Sequence, residues 1–337
     1  MVNPEIALAL FFGVLASLLI ARKLKFWTSL FSNKAQIQKT LIEDVLKQLF
    51  HVEYSGRTAG LNDMAGALKI ADQKLVEIIE LMTKSNLIGL SQNKITLTPS
   101  GRDYALKIIR VHRLWEKYLS EKTGIDKSEW HDRAELKEHT LTPEQAEELY
   151  LELGSPRFDP HGDPIPTESG ELIDTDWKSL SSLHSGIRAS ILHIEDEPEV
   201  IYQQIIAKNL HVGSHLRIIH SDEQEIQFYC EGTEYSLSPI VASNIHVKEL
   251  TEDDIFEESR VRLSSLSVSE NANVVGISSE CRGASRRRLL DLGFTKGTPI
   301  RIEYAGPMKN PKAYLIRNTL IALRNDQAEL ILIEKND

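Results

Sequence analysis

Four of the ten residues from Trp130 to His139 share one helix face and carry side chains that bind transition metals. In the stretch WHDRAELKEH these are His131, Glu135, Glu138 and His139. Spacings of four, three and one residues place all of them on one face of a helix, because a helix has about 3.6 residues per turn. Imidazoles and carboxylates are ligands suited to manganese and ferrous iron. The stretch therefore predicts a metal-binding helix; the alternative is a solvated charged helix with incidental histidines.

A second pair of candidate ligands precedes this stretch. His112 and Glu116, within VHRLWEKYL, are four residues apart, a spacing that puts them on one face of the preceding predicted helix. Two such helices packed together would present imidazoles and carboxylates to one or two metal ions. Each residue alone fits a solvated helix face, but six of them on matching rows favour a metal site.

Four stretches carry a family resemblance, in sequence and in order. They are HRLWEKYL, WHDRAELKEH, LTPEQAEEL and FDPHGDPIP. Together they resemble the metal-sensing and dimerisation domain of the diphtheria toxin repressor and manganese transport regulator family, over roughly residues 36–250. The resemblance implies a homodimer formed through the helices of residues 101–152, in which bound metal fixes two DNA-binding domains at the spacing of an operator.

Length and charge agree with a chain of several domains. A single core rarely holds 337 residues, so two to four domains are expected. The net charge is −10, yet basic residues predominate in the first third of the chain and acidic residues after it. A basic front followed by an acidic rear suits a DNA-binding domain followed by other domains. Cys230 and Cys281 form neither a disulfide framework nor a zinc motif, so we expect buried thiols in a reducing compartment.

The N-terminal segment has the composition of a membrane anchor. Residues 6–21 form a run of sixteen uncharged residues, and Arg22, Lys23 and Lys25 follow. With its flanks, the segment over residues 4–27 reaches the ~20 residues that a transmembrane helix needs. The positive-inside rule places the N-terminus outside and the rest of the chain in the cytoplasm. We therefore expect a single-pass protein of the cell membrane; the alternative is a buried core helix.

The next block, residues 36–100, is predicted to be a winged helix-turn-helix domain. LIGLSQNKITLTPSGR is typical of a wing, with two strands around a tight Gln92-Asn93 turn. The apolar spacing before it predicts three helices, which span residues 37–54, 61–68 and 72–85. The third would be the recognition helix that enters the major groove of DNA.

Candidate DNA-contacting residues lie on and around this third helix. Gln73 and Lys74 at its start are placed to contact base edges. Further cations that can contact phosphates are Lys69, Lys94 and Arg102. Glu77 and Glu80 oppose binding, because carboxylates repel the phosphate backbone. The alternative is a winged helix kept for dimer or partner contacts, with DNA binding lost.

The family resemblance adds one ligand and sorts the candidates into two sites. In the family, the first helix supplies a metal ligand from the position that Asp44 holds here. Iron-type members carry a thioether there and a cysteine at the position of Glu135, so the two carboxylates of this chain favour Mn²⁺ over Fe²⁺. Manganese-type members have a further carboxylate at the position of Lys47, which implies one ion here unless Lys47 points away. The implied primary site consists of Asp44, Glu135, Glu138 and His139. The implied ancillary site consists of His112, Glu116 and His131.

The connector over residues 154–167, GSPRFDPHGDPIPT, is rich in proline, glycine and aspartate. Such composition indicates an ordered, turn-rich segment. Asp159, His161 and Asp163 within it permit a metal or catalytic interpretation. Family members carry the same stretch as a joint between domains, and we favour that interpretation.

The C-terminal half contains a weak internal repeat. LSSLHSG at Leu180 recurs as LSSLSVS at Leu263, and later segments recur at offsets of 83–86 residues. Short alternating strands with matched turn glycines predict two small β-barrels, over residues 176–250 and 259–335. The first resembles the SH3-like third domain of iron-type repressors, which lends oxygen ligands to the ancillary site. Candidates for that role are Glu197 and Glu199.

The second barrel resembles the FeoA family of small SH3-like proteins linked to bacterial ferrous-iron uptake. The residues that fit the FeoA pattern are Gly283, Arg288, Leu292, Gly293, Gly297, Pro307 and Leu323. Arg286, Arg287 and Arg288 cluster at the start of a predicted helix. They can bind an acidic partner or form a solvated face.

These expectations describe an α+β multidomain chain with a transmembrane helix, a winged helix-turn-helix, an all-α metal-binding and dimerisation domain over residues 101–167, and two SH3-like β-barrels. The expected function is a membrane-tethered transcriptional regulator that binds a palindromic operator as a homodimer when Mn²⁺ or Fe²⁺ is bound. The alternative is a membrane-anchored adaptor that senses metal and acts on a metal transporter through its FeoA-like domain. The sequence shows no nucleophile elbow, phosphate loop or paired acid and base outside the metal cluster, so no enzymatic activity is expected.

Overall fold

The computed structural model of the protein describes residues 35–336, apart from residues 92–93, 126, 209, 252–259 and 279–280. By its internal contacts the chain divides into two compact units. The first is Met1–Ile109 with Glu168–Gly170, and the second is Arg110–Thr167 with Glu171–Asp337.

The first unit combines helices with a small antiparallel sheet of order β1-β3-β2. Its elements are α1 over residues 35–54, β1 Ala59–Gly60, α2 Leu61–Leu68, α3 Asp72–Lys84, β2 Ile88–Ser91, β3 Lys94–Leu97 and the start of α4 Pro99–Lys122. The three helices and two strands expected from apolar spacing are confirmed, with helix ends within two residues of their expected positions. The expected turn at Gln92 and Asn93 lies outside the described residues.

Helix α3 owes its orientation to one apolar stripe. Leu75, Ile78 and Met82 are buried and recur every three or four residues, which is the period of a helix face. They pack into the core of the unit, whose other buried members include Leu46, Leu49 and Ile95. The opposite face, with Gln73, is exposed.

The second unit begins with the remainder of α4 and two shorter helices, α5 Trp130–Glu138 and α6 Pro143–Glu152. The start of α6 is fixed by a capping box, in which the side chains of Thr142 and Gln145 exchange hydrogen bonds with each other's backbone N–H groups. Leu114, Leu149 and Ile165 form a small core between these helices and the connector that follows them.

The rest of the second unit is two six-stranded antiparallel sheets. The first contains β4 Lys178–Ser179, β5 Arg188–Ile194, β6 His215–Ser221, β7 Ile226–Cys230, β8 Thr233–Leu237 and β9 Ile245–Glu249, with helices α7 Glu199–Ile206 and α8 Pro239–Ala242. The second contains β10 Arg260–Arg262, β11 Asn271–Ile277, β12 Pro299–Ala305, β13 Lys312–Ile316, β14 Thr319–Leu323 and β15 Ile331–Lys335, with helices α9 Gly283–Asp291 and α10 Asn325–Glu329.

The two sheets share one topology, as the sequence repeat predicts. Their strand orders are β4-β9-β5-β6-β7-β8 and β10-β15-β11-β12-β13-β14, which are the same order strand for strand. Register shifts fall at matching places, between Ile191 and His193 on β5 and between Val274 and Gly276 on β11. Each sheet encloses its own apolar core, and Cys230 and Cys281 are buried there as expected.

The expected closed barrels need a correction. In the described residues the pairing of the second sheet starts at β10 and ends at β14, and that of the first starts at β4 and ends at β8. Both sheets are therefore open at their edges. The short edge strands β4 and β10 have two and three residues, which leaves little backbone to complete a ring of hydrogen bonds.

The expected localisation in the cell membrane is wrong. Within the part of the chain that the structure describes, every helix is too short or too polar to cross a bilayer. The segment on which the expectation rested, residues 4–27, lies outside the described residues. The single-pass topology with an external N-terminus is therefore not retained.

Candidate metal centre

Five side chains of the second unit converge on one buried cluster. Helix α4 contributes two of them and α5 one, the connector after α6 contributes the fourth, and the segment after β5 contributes the fifth. They are His112, Glu116, His131, His161 and Asp196. Three imidazoles and two carboxylates therefore meet inside the protein.

Glu116 lies at the centre of the cluster. Its Oε1 atom is 3.1 Å from His112 Nε2, 3.5 Å from His131 Nδ1 and 3.8 Å from His161 Nε2. Asp196 closes the cluster from another side, with its Oδ2 atom 3.0 Å from His131 Nδ1. The ligand atoms of His112, Glu116 and His131 lie within 4.8 Å of one another, and so do those of Glu116, His161 and Asp196.

Three atoms of the cluster are buried and make no hydrogen bond of good geometry among the described residues, although ion-pair partners lie 3.0–3.8 Å from them. They are Glu116 Oε1, His131 Nδ1 and His161 Nε2. Buried polar atoms almost always have a partner, because leaving one unsatisfied costs about 1–3 kcal/mol. Nitrogen and oxygen donors that face one another in this way fit a divalent first-row metal ion. The residues present therefore match the metal that the sequence predicts.

The charges of the cluster also suit a cation. Burial alone would raise the pKa of Glu116, but the His112 and His161 imidazoles reverse this effect and lower it to about 2. Burial is likewise outweighed at Asp196, where His131 and His161 hold the pKa well below its usual value. Burial alone would lower the pKa of His131. The neighbouring carboxylates raise it by a larger amount, so the pKa of His131 lies above its usual value. Two ionised carboxylates next to a protonated imidazole form a site at which a metal ion can replace a proton.

A rigid turn positions His161. Asp159 Oδ1 accepts three hydrogen bonds of 2.8–2.9 Å from the backbone N–H groups of His161, Gly162 and Asp163. Gly162 has a φ of +99°, and a Cβ atom there would lie 2.0 Å from the Leu192 carbonyl oxygen, so only glycine fits.

Residues outside the turn fix the orientation of the turn and of the His161 ring. Arg113 on α4 donates hydrogen bonds to Asp163 and to the Pro164 carbonyl, at 2.7 and 2.6 Å. The Tyr202 hydroxyl lies 3.3 Å from Nδ1 of His161, while Nε2 of the same ring faces the cluster. Such second contacts orient metal-binding imidazoles.

The residues expected for the primary site lie in both units. Glu138 is buried at the end of α5, and its Oε2 atom is 2.5 Å from His112 Nδ1. Its Oε1 atom is 3.5 Å from His139 Nε2. Glu135 is exposed, and its Oε1 atom is 3.5 Å from His131 Nε2. Asp44 lies on α1 in the first unit and is half-buried. That it shares one metal site with Glu135, Glu138 and His139 stays a prediction.

Two members of the cluster did not belong to the predicted site. The sequence predicts that His161 lies in a joint between domains, and Asp196 precedes the candidates Glu197 and Glu199 in the chain. Glu197 Oε1 is 3.9 Å from His131 Nε2, and Glu199 is exposed at the start of α7. The signal that was available is the short sequence DPHG, which combines a turn former with an imidazole.

The candidate DNA-contacting residues all lie in the first unit. Gln73, Lys69 and Lys94 are exposed. Lys74 is half-buried and its Nζ atom is 2.9 Å from a carboxylate oxygen of Glu77. Arg102 forms an ion pair with Glu53. Their roles in binding DNA stay predictions.

Two parts of the chain match known domain families. Residues 98–167 match the iron dependent repressor, metal binding and dimerisation domain. Residues 261–335 match the FeoA domain. The cluster takes His112, Glu116, His131 and His161 from the first of these ranges.

One relative agrees with the first match, and another is a protein of a different kind. A diphtheria toxin repressor of Corynebacterium diphtheriae is 25% identical over 226 residues, which are 62% of this chain and 96% of the relative. A probable metal transport system membrane protein of Chlamydia trachomatis is 41% identical over 86 residues, so the match covers 26% of this chain and 19% of that protein.

Solved structures agree as well. A manganese-dependent transcriptional repressor in complex with manganese is 26% identical, has a TM-score of 0.56, and is matched over 62% of this chain and 99% of its own. The IdeR protein of T. acidophilum is 27% identical, with a TM-score of 0.53, over 61% of this chain and 97% of its own. The chain thus contains a metal binding and dimerisation domain of the iron dependent repressor type and a FeoA domain, and in sequence and fold it is similar to diphtheria toxin repressors and manganese-dependent repressors.

Proposed function

We propose that this protein is a DNA-binding transcriptional repressor that works as a homodimer and responds to Mn²⁺ or Fe²⁺. The observation that carries the proposal is the cluster around Glu116, in which imidazole and carboxylate atoms lie close together and three buried atoms make no hydrogen bond of good geometry among the described residues. A cluster of this kind is costly to bury unless a ligand completes it. Metal binding would then favour the arrangement of the protein that binds DNA.

The choice of metal rests on the donor set. The cluster offers three nitrogen and two carboxylate donors and no sulfur, whereas Cys230 and Cys281 are buried with the cores of the two sheets. Hard and borderline donors of this type suit Mn²⁺ and Fe²⁺ better than soft metals. The manganese complex of the related repressor supports the same assignment.

We assign two metal sites to the chain. The ancillary site is the cluster itself, so that His161 and Asp196 join the three residues expected from sequence. The primary site would combine Asp44, Glu135, Glu138 and His139. The neighbouring positions of Glu138 and His139 at the end of α5 support this second assignment.

The proposed mode of DNA binding places α3 in the major groove. Gln73 is exposed near the start of that helix, and its amide can form two hydrogen bonds with adenine. Lys69 and Lys94 are exposed cations suited to phosphate contacts. Lys74 and Arg102 already pair with carboxylates, which lowers the positive charge of the surface, so we expect modest affinity for a palindromic operator.

We further propose domain limits that agree with these roles. Residues 36–100 form the winged helix-turn-helix domain, residues 101–167 the metal-binding and dimerisation domain, residues 176–250 an SH3-like domain and residues 259–335 the FeoA domain. The shared topology of the two sheets supports the assignment of both to one fold type.

Calorimetric titration with Mn²⁺ tests the proposal. The full chain should bind the ion, and His131→Ala should weaken binding at least tenfold, because it removes one imidazole donor of the cluster. His184→Ala is the matched control, since His184 is an exposed histidine of the first sheet domain, the domain that contains strands β4 to β9. Equal binding by all three proteins would refute the ancillary site.

A further inference from the structure

The FeoA domain contacts the end of the helix that carries the metal cluster. Gly283, the first residue of α9, has a φ of +54°. A Cβ atom at this position would lie 1.9 Å from the carbonyl oxygen of Glu121, on α4. Real Cβ atoms do not approach an oxygen so closely. The backbone of the FeoA domain therefore rests directly on the last turn of α4, and this contact requires glycine.

A second contact ties the FeoA domain to the first sheet domain. Gly232, in the turn between β7 and β8, has a φ of +90°, and a Cβ atom there would lie 2.7 Å from the Val261 side chain on β10. Arg262, the next residue of β10, forms a buried ion pair with Glu231 and donates a 2.5 Å hydrogen bond to the Glu329 carbonyl. The FeoA domain is thus held at two separate places.

Equivalent segments of the two sheet-containing domains contact the helices α4 and α5 of the metal-binding domain. The segment after β5 brings Asp196 to His131 of the cluster. The segment after β11, which occupies the matching place in the second sheet, brings Gly283 to Glu121. Arg286 contacts the described residues on both sides of this second segment, because one of its guanidinium nitrogens donates to the carbonyl oxygens of Ile277, Ser278 and Cys281, at 3.1–3.4 Å.

The two contacts are close enough to influence one another. Glu116 and Glu121 lie on the same helix α4, and five residues correspond to ~7.5 Å along a helix axis. Glu121 also pairs with Lys117, with Nζ and Oε1 3.2 Å apart, and Lys117 follows the central ligand Glu116 in sequence. A helix is stiff over so short a distance, so a shift of its last turn is transmitted to the ligands.

The contact between the domains leaves room for movement. A cavity of about 530 Å³ lies between them. Ser120 and Thr123 of α4 line one side, Arg282 and Ser285 of the FeoA domain line another, and His161 of the cluster reaches the same cavity. The FeoA domain and the end of α4 therefore contact each other at a few points around this cavity, without continuous packing between them.

We propose that the FeoA domain is an intramolecular partner of the metal-sensing helix, docked through Gly283 on Glu121, and that its docking strengthens metal binding at the cluster. This inference rests on the proposed function, because metal binding is what the docking tunes. The docking surface is the segment 281–283 together with β10, and its partner is the end of α4 with the β7–β8 turn.

The test compares Gly283→Ala with Gly297→Ala in the full chain. Both glycines lie in the FeoA domain with positive φ, of +54° and +81°, so both substitutions strain the backbone. A Cβ at Gly297 meets nothing within 4 Å of the described chain. Mn²⁺ titration should show affinity at least about fivefold weaker for Gly283→Ala and unchanged within about twofold for Gly297→Ala. Equal affinities of the two variants would overturn the inference.

Hydrogen exchange of the amides at residues 117–122 tests the docking of the FeoA domain separately from metal binding by the cluster. If the FeoA domain docks as described, exchange there is faster in Gly283→Ala than in Gly297→Ala, even without metal. Absence of Mn²⁺ binding by the unmodified protein would refute the proposed function and leave this comparison valid. Equal exchange in both variants would refute the docking.

A second pair of variants covers the case in which Gly283→Ala does not fold. Gly232→Ala presses on Val261 from the other contact, and Gly186→Ala, with φ of +85° and nothing within 4 Å in the described residues, is its control. Weaker Mn²⁺ binding by Gly232→Ala alone would support the inference. Identical binding by both would contradict it.

Discussion

The Nδ1 atom of His112 lies 2.5 Å from the Oε2 atom of Glu138. The other ring nitrogen of His112 faces Glu116, and the other oxygen of Glu138 faces His139. A direct contact thus joins the cluster to the residues proposed for the primary site. Ligands that touch cannot be positioned independently, so metal binding at the two sites should be coupled.

A double-mutant cycle measures this coupling. We expect the losses in Mn²⁺ binding free energy caused by His112→Ala and Glu138→Ala to deviate from additivity by ~0.5–3 kcal/mol, the range for residues in contact. Calorimetric titration of both single variants and the double variant provides the values. Glu138→Ala combined with His184→Ala should be additive, because His184 is an exposed residue of the first sheet domain. Additivity of the His112 and Glu138 pair would contradict the coupling.

The role of Asp196 predicts a loss that its neighbours do not share. Asp196→Asn should weaken Mn²⁺ binding at least about tenfold, because it removes a half-buried carboxylate donor. Glu199→Gln should change the affinity by less than about twofold, since Glu199 is exposed. The same titration serves both variants. A larger effect at Glu199 would mean that the segment after β5 approaches the cluster differently.

Tyr314 predicts how stability falls in alkaline solution. Burial raises the pKa of this tyrosine from 10.0 to about 12, and its hydroxyl makes no hydrogen bond in the described chain. A raised pKa means that the folded state resists ionisation. The stabilising contribution is therefore complete below pH 10 and declines between pH 10 and 12, at ~1.4 kcal/mol per pH unit.

Tyr314→Phe should remove this decline. Because it also removes an unsatisfied buried hydroxyl, it should leave stability at pH 7 unchanged or higher. Chemical denaturation at pH 7 and pH 11 measures the difference. A variant that loses as much stability as the unmodified protein at pH 11 would show that Tyr314 is not the group responsible.

Local patterns in the sequence were sufficient to predict the elements that depend on interactions between residues close in the chain. The apolar spacing of residues 61–68 gave both ends of α2, and the spacing of His112 and Glu116 placed both on one helix face. The repeat offsets gave two domains of one topology. In each case the signal lies within a few turns or in two similar segments.

Other features depend on contacts between distant residues and could not be obtained in this way. His161 and Asp196 enter the cluster from non-helical segments whose direction is set by Asp159, Tyr202 and the end of β5. Likewise, Arg102 is a cation in sequence, but the fold pairs it with Glu53, which lies 49 residues away in the chain. Periodicity contains no information about such long-range pairs.

The wing of the first unit predicts a specific salt effect on DNA binding. Lys94→Ala should reduce the slope of log affinity against log salt concentration by about one, because it removes a phosphate contact. Gln73→Ala should instead change the preferred sequence. Fluorescence anisotropy with labelled DNA at several salt concentrations measures both effects. Lys296→Ala, an exposed lysine of the FeoA domain, is the control, and an equal change of slope in this variant would argue against a contact through Lys94.

Selection of DNA from a random pool, with and without metal, tests the central claim most directly. With Mn²⁺, the full chain should enrich an inverted repeat, and a chelator should abolish the enrichment. His131→Ala should fail to enrich this repeat, whereas His184→Ala should behave as the unmodified protein does. Failure to enrich any inverted repeat with Mn²⁺, or with Fe²⁺ under anaerobic conditions, would contradict a metal-dependent repressor, as would equal enrichment in the presence of the chelator.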